Sequence, residues 1–155
     1  MSRMSQLTVF TLGIVAAVAL TGCAASIPPT VGQLRTTGRL APCPLDADNC
    51  VNSTTDASDG KHAIAPLTYT GAAAEAKARL LAVIAAMPRT RVVTDEETYL
   101  HAEFTSLIFR FVDDVEFVID DAAKTIHFRS ASRVGRGDMG VNRKRMEEIR
   151  AKFQG

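Results

Sequence analysis

Residues 99–130 read YLHAEFTSLIFRFVDDVEFVIDDAAKTIHFRS, and the alternation of polar and apolar positions in them decides the fold. Side chains of a strand point alternately to its two faces. Leu100, Ala102 and Phe104 therefore share one face, with Tyr99, His101 and Glu103 on the other. Leu107, Phe109 and Phe111 alternate in the same way against Ile108, Arg110 and Val112. Val115, Phe117 and Ile119 continue the pattern after a bulge expected at Asp113-Asp114. Asp120 to Lys124 read as a turn. Ile126, Phe128 and Ser130 then line one face of a last strand, opposite His127 and Arg129. Short connections between consecutive strands imply antiparallel pairing.

Upstream, Arg91-Val92-Val93-Thr94 reads as a further strand. Before it, Ala73, Ala76, Leu80, Val83, Ile84 and Met87 recur at helical spacing, with Thr70 placed to cap the helix and Pro88 closing it. Downstream, Met146, Ile149 and Phe153 form the stripe of a second helix over 140–153, which Asp138 is positioned to cap. The expected fold is α+β, a two-layer sandwich: a four-stranded antiparallel sheet with two helices on its one apolar face.

The chain has 155 residues with a net charge of +1, 6% aromatic residues and no Trp. That length allows one domain with extensions. The near-neutral charge excludes a phosphate-backbone binder, and the few aromatics exclude a base-stacking platform, so no nucleic-acid partner is expected.

Residues 1–22 carry a single charge, Arg3, ahead of an uncharged apolar run from Leu7 to Leu20. This resembles a secretory signal, and the run falls short of the roughly 20 apolar residues that a spanning helix needs. It ends in Leu20-Thr21-Gly22-Cys23, which resembles a bacterial lipobox. The resemblance implies cleavage before Cys23 and acylation of the Cys23 thiol, with palmitate-type chains anchoring the protein. The alternative is an uncleaved anchor with an incidental cysteine. Two or more acyl chains hold a protein at a membrane far more firmly than one. Ala24, by similarity to enterobacterial lipoproteins, implies the outer membrane, with the domain in the periplasm. The expected organisation is a signal peptide over 1–22, a flexible tether over 23–42 rich in Pro, Gly, Ser and Thr, and a single domain over 43–155. A tether of that length extends to about 65 Å when fully stretched.

Cys43 and Cys50 are an even pair in an exported chain, so a disulfide is expected. A metal site is the rival, although two cysteines do not fill a tetrahedral zinc shell. The bridge would contribute about 2.5 kcal/mol on a chain-entropy estimate. Asn52-Ser53-Thr54 fits a glycosylation sequon and reads here as loop chemistry.

The small net charge conceals an asymmetry. Residues 95–121 hold nine acids and one base; residues 129–152 hold eight bases and three acids. Cross-strand pairs such as Glu116 with Arg129 account for this structurally. A functional reading centres on residues 129–138, RSASRVGRGD, where a strand end leads through two glycines to a helix start. Helix N-termini and arginine forks bind anions, so Arg129, Ser130, Ser132, Arg133, Asn142 and Arg143 are candidate anion-binding residues. Asp113 and Asp114 are candidate acid and base. His101, Glu103 and His127, with Asp113 and Asp114 near them in sequence, offer metal-type donors, but exposed strand residues are commoner, so neither a metal nor another cofactor is expected.

Cys43-Pro44, Asn49-Cys50-Val51, Asp113-Asp114-Val115-Glu116, the run Arg129–Gly135 and Asp138-Met139-Gly140-Val141-Asn142-Arg143 together resemble the domain of unknown function 1499 family over roughly residues 43–153. Met139 stands where that family has leucine. The resemblance supports the fold and boundaries and brings no chemistry. It directs attention to Asp113, Asp114, Arg129, Ser130, Ser132, Arg133, Asp138, Asn142 and Arg143, which equally suit holding the sheet edge against the last helix through hydrogen bonds. The expected function is a non-catalytic binding or envelope-organising module, with an envelope protein or an anionic ligand as partner. The rival is a small enzyme for an anionic substrate, with Arg129 and Arg133 as clamps and Asp114 as acid or base.

The lipobox generates a direct prediction. Cys23→Ser is expected to block processing or release the protein from the membrane fraction. Intact mass and fractionation check it, and unchanged acylation-dependent mass and membrane association would reject an anchor at Cys23.

Overall fold

The computed structural model describes residues 26–33 and 39–155. Residues 1–22, expected to be a signal peptide, and Cys23, expected to be acylated, lie outside the described residues. In chain order the described part forms β1 (Cys50–Asn52), β2 (Leu67–Thr68), α1 (Ala73–Ala85), β3 (Thr90–Asp95), β4 (Tyr99–Thr105), β5 (Val112–Asp120), β6 (Thr125–Ser132) and α2 (Val141–Gln154). The sheet runs β1-β6-β5-β4-β3, and β2 also pairs with β6. Every strand pair is antiparallel. β1 and β2 lie end to end along the free edge of β6, opposite Arg129–Ala131 and Thr125–Ile126 respectively.

The α+β class holds, but the sheet has six strands rather than the expected four. β1 and β2 are three and two residues long, too short to display a period of two. The alternation over 107–111 is not a strand either. Thr105 pairs directly with Val112, so residues 106–111 form a hairpin loop, closed by the Ser106 N–H donating to the Phe111 carbonyl at 2.8 Å. β5 keeps an unbroken register through Asp113 and Asp114. The bulge lies instead in β3, between Val92 and Thr94.

Both helices cover one face. Ala76, Leu80 and Ile84 of α1 and Met146, Ile149 and Phe153 of α2 pack on Leu100, Ala102, Phe104, Val115, Phe117, Ile119, Ile126 and Phe128. Arg79 of α1 lays its guanidinium 4.4 Å from the centre of the Phe153 ring, so the two helices also meet each other. Thr70 does not cap α1. Gly71 turns the chain with φ of +82°, which moves the N-cap position on to Ala72, and that cap has no side-chain hydrogen bond. The N-cap position of α2 is Gly140, without a side-chain cap bond; Asp138, two residues before it, still serves the first turn, accepting from the N–H groups of Gly140 and Asn142, each at 2.8 Å.

A disulfide joins Cys43 to Cys50 with Cα atoms 5.6 Å apart. It packs on Ala131 of β6 and staples the incoming chain to the sheet edge. Asn52 of the sequon is buried. It accepts from the N–H and hydroxyl of Thr54, both at 2.8 Å, and donates to the Ala41 carbonyl. No helix among the described residues is long and apolar enough to cross a membrane.

Phe117 and Phe128 are fully buried neighbours at the centre of this core, their rings 6.3 Å apart. Phe117→Ala is expected to cost about 3–5 kcal/mol. Urea unfolding followed by circular dichroism checks it, and a loss below about 1 kcal/mol would mean that the helices do not close over this face.

Candidate functional site

The second face of the sheet carries no helix, yet it is not a solvated surface. Its odd-numbered β4 residues Tyr99, His101 and Glu103 stand opposite Val118, Glu116 and Asp114 of β5. Glu116 in turn stands opposite Arg129 of β6. Tyr99, His101, Glu103, Asp114, Glu116 and Arg129 are all buried. Three carboxylates therefore meet the buried guanidiniums of Arg129 and Arg133, and Arg91 reaches Glu103 from the exposed edge strand.

Arg133 holds the centre of this network. Its Nε donates to Asp114 Oδ2 at 2.8 Å and its Nη2 to Asp114 Oδ1 at 2.7 Å. The planar guanidinium thus grips the carboxylate with two parallel bonds, the strongest geometry available to the pair. The same Nη2 reaches Glu103 Oε1. Arg91 binds the other oxygen of Glu103 at 2.7 Å. His101 Nε2 lies 2.8 Å from Asp114 Oδ1, and because that carboxylate can only accept, the imidazole donates from Nε2.

The electrostatics follow. Burial raises the pKa of Asp114, but the hydrogen bonds from Arg133 and then His101 outweigh it and hold the group below its ordinary value. Glu103 behaves alike, with Arg133 and Arg91 overcoming its burial. Arg133 is pushed up by Asp114. Arg129 is pulled down by burial, against the attraction of Glu116 and Asp114. Its Nη1 stays 3.9 Å from Glu116 Oε2, and Arg129 Nε and Glu116 Oε2 have no hydrogen-bond partner. The other oxygen of Glu116 accepts from the Tyr99 hydroxyl and from the Gly32 N–H, each at 2.8 Å. Gly32 belongs to the segment expected to be tether, and this bond lays that segment against the sheet.

Strand alternation divides the anion-binding candidates. Arg129 and Arg133 point to the helix-free face with Asp114. Ser130, Ser132 and Asp113 occupy the intervening positions and turn toward α2. There Asn142 donates to the Asn49 carbonyl, to Ser132 Oγ and to Asp138 Oδ2, and accepts from Ser130 Oγ. Arg145 pairs with Asp113 and donates to Asn142 Oδ1 at 2.7 Å. Arg143 lies apart, bonded through Nη2 to the carbonyls of Lys61 and Ala63. The N-terminus of α2, where an anion was expected, is filled by the Asp138 carboxylate of the chain itself.

Among the metal-type donors, His101 and Glu103 are buried rather than exposed, and both are engaged as described. His127 lies near Ser53 Oγ and Thr125 Oγ1 instead. Among the described residues no three His, Cys, Asp or Glu side chains converge on a common point suited to a cation. Two cavities lie away from the arginine network. One of about 540 Å³ is lined by Arg39, Leu40, Val118, Asp120 and His127. Another, of about 460 Å³, lies between α1 and the start of β4.

Arg91, Tyr99 and Arg145 are network members that sequence proximity does not point to. Arg91 was detectable from the β3–β4 hairpin, whose register places it opposite Glu103. Arg145 was detectable from helical spacing, three residues after Asn142 on the inner face of α2.

Fold and network together define a class: a two-layer α+β domain whose polar residues hold a sheet together through buried ion pairs on one face and a side-chain hydrogen-bond cluster on the other. The family model of the protein of unknown function DUF1499 matches residues 39–153. The chain belongs to that family. No curated protein matches it.

The network sets a pH dependence. Asp114 and Glu103 titrate lower in the folded chain than in the unfolded one. Their contribution to stability is therefore present above their ordinary values of 3.8 and 4.5 and is lost as pH falls through the lowered ones. Arg133→Ala leaves both carboxylates buried without their main partner, and is expected to cost about 3–5 kcal/mol at neutral pH. Protonation removes the need for that partner, so the gap from wild type is expected to narrow at about pH 3. Urea unfolding at the two pH values checks it; a gap independent of pH would mean that Arg133 acts only through packing.

Proposed function

We propose that this chain is a cell-envelope protein held by a lipid anchor at Cys23, its domain facing the periplasm as a non-catalytic binding or envelope-organising module. Arg133 carries the reading. An arginine clamping a substrate leaves its guanidinium open to a cavity, and a carboxylate acting as acid or base has its pKa moved toward neutrality. Here Arg133 is fully engaged with Asp114 and Glu103. Both carboxylates are displaced the other way, toward permanent ionisation. The polar residues of the family motifs thus act as internal fastening. Surface and loops are left for recognition. The signal-like residues 1–22, the Leu20–Cys23 motif and Ala24 support placement at the outer membrane. The disulfide supports export to an oxidising compartment.

The test compares the purified full chain with its Asp114→Asn variant, each incubated with the small-molecule extract of the cells that make it. Mass spectrometry is expected to find no metabolite that the wild type depletes and the variant spares. A metabolite consumed only by the wild type would overturn the non-catalytic reading in favour of an enzyme for that compound.

A further inference from the structure

One end of the sheet departs from the rest of the surface. Three loops meet there: residues 43–49 leading from Cys43 to β1, residues 106–111 between β4 and β5, and residues 133–140 between β6 and α2. The Arg133 N–H donates to the Val112 carbonyl at 3.0 Å, which sets the last two side by side. Asn49 donates to the Gly135 carbonyl, and Asp46 pairs with Arg136, which adds the first.

These loops expose large apolar side chains. Leu107, Ile108 and Phe109 are 69%, 78% and 72% exposed. Phe111, Val134 and Leu45 are exposed as well, and Met139 fully so. The 106–111 loop is a built structure. Phe109 and Phe111 stack with ring centres 5.5 Å apart, and the Phe111 N–H donates to Ser106 Oγ at 2.9 Å. Arg110 adopts φ of +57°, a conformation that non-glycine residues rarely take, and Arg89 and Met139 at this same end do likewise. Exposed apolar residues gathered in one patch mark a surface that something covers.

We propose that this end of the domain inserts into the interfacial layer of a phospholipid bilayer, with Leu107, Ile108 and Phe109 entering the acyl boundary and Arg110 meeting anionic headgroups. The inference rests on the anchored reading of the chain. Two features select lipid over a protein partner. The patch is centred on a hairpin loop with an exposed arginine, Arg110, inside its apolar run, the composition of an interfacial anchor. The chain length also agrees. Gly32 is fixed to Glu116. The chain turns at Pro28–Val31, where the Val31 N–H donates to the Pro28 carbonyl at 3.0 Å; the five residues from Pro28 back to Cys23 span up to about 17 Å, and the four residues of β5 from Glu116 to Val112 cover about 13 Å. An acyl group at Cys23 can therefore enter the same bilayer that the tip touches.

The chain has no Trp, so a single introduced indole reports its own surroundings. The processed full chain carrying Phe109→Trp is mixed with vesicles of phosphatidylethanolamine and phosphatidylglycerol whose acyl chains are brominated. Ala122→Trp, in the β5–β6 turn at the other end of the sheet, is the control. Bromine quenching is expected to be at least twofold stronger for Phe109→Trp than for Ala122→Trp. Intact mass of the same samples reports acylation of Cys23 separately. Strong quenching at position 109 without acylation would sustain the lipid-facing tip and reject the anchor. Acylated protein whose two indoles are quenched equally, or not at all, would overturn the tip while leaving the anchor in place. Absence of both would end both.

Discussion

The grip of Arg133 on Asp114 is the constraint on which the helix-free face depends. Arg133 follows directly after the end of β6, and Asp114 lies two residues into β5. The guanidinium can reach the carboxylate only if the β5–β6 register is the observed one. It can reach Glu103 as well only if β4 keeps its register on β5. A one-residue slip of either strand would send its carboxylate to the other face. Burying such charges contributes little net stability, because desolvation offsets most of the attraction. What the network supplies is a penalty on every alternative pairing, since each would leave a buried charge alone.

Much of this was legible in the sequence, for a physical reason. The alternation of Tyr99–Thr105 and of Ile126–Ser130 is a period-two signal, and the structure realises it with the faces as read. Leu107–Phe111 carries the same signal and is a loop. Alternation reports only which side chains would share a face, and a strand also needs a neighbour; here Thr105 pairs with Val112 and leaves those residues none. β1 and β2 fall below the length at which a period exists. They are held as strands by the β6 edge and by the Cys43–Cys50 bridge, both of which are tertiary. The acid-rich and base-rich halves were readable as cross-strand partners, because antiparallel neighbours in sequence become neighbours in space.

The candidate site was less legible, because closeness in sequence conflicts with alternation. Arg129, Ser130, Ser132 and Arg133 look like one cluster on paper. Positions 130 and 132 face α2, while 129 faces the opposite side and Arg133 joins it there. Two separate jobs result. The serines and Asn142 fasten α2 and the Asn49 carbonyl to the sheet, and the arginines neutralise the carboxylates behind it. The helix N-terminus that suggested an anion is occupied by Asp138. A local motif of Asp two residues before a left-handed Gly140 supplies its own anion, and that pattern was present in the sequence.

The two ends of the sheet are built under different constraints. At the β5–β6 turn, Lys124 is the one non-glycine residue with positive φ, and its ammonium meets Asp121 at 2.6 Å and faces the Tyr69 ring. The surface there is charged and ordinary. At the opposite end three non-glycine residues, Arg89, Arg110 and Met139, take that conformation. Each such residue costs on the order of 1 kcal/mol relative to glycine. Glycine at any of them would relieve strain, and polar residues at 107–109 would remove apolar surface from water. Relief of backbone strain favours the first change and solubility the second, and the sequence has neither. The structure therefore places its unexplained costs at one end, on the side chains that face away from the core. A requirement acting from outside the fold, on that surface, accounts for both costs at once, whereas a packing requirement accounts for neither.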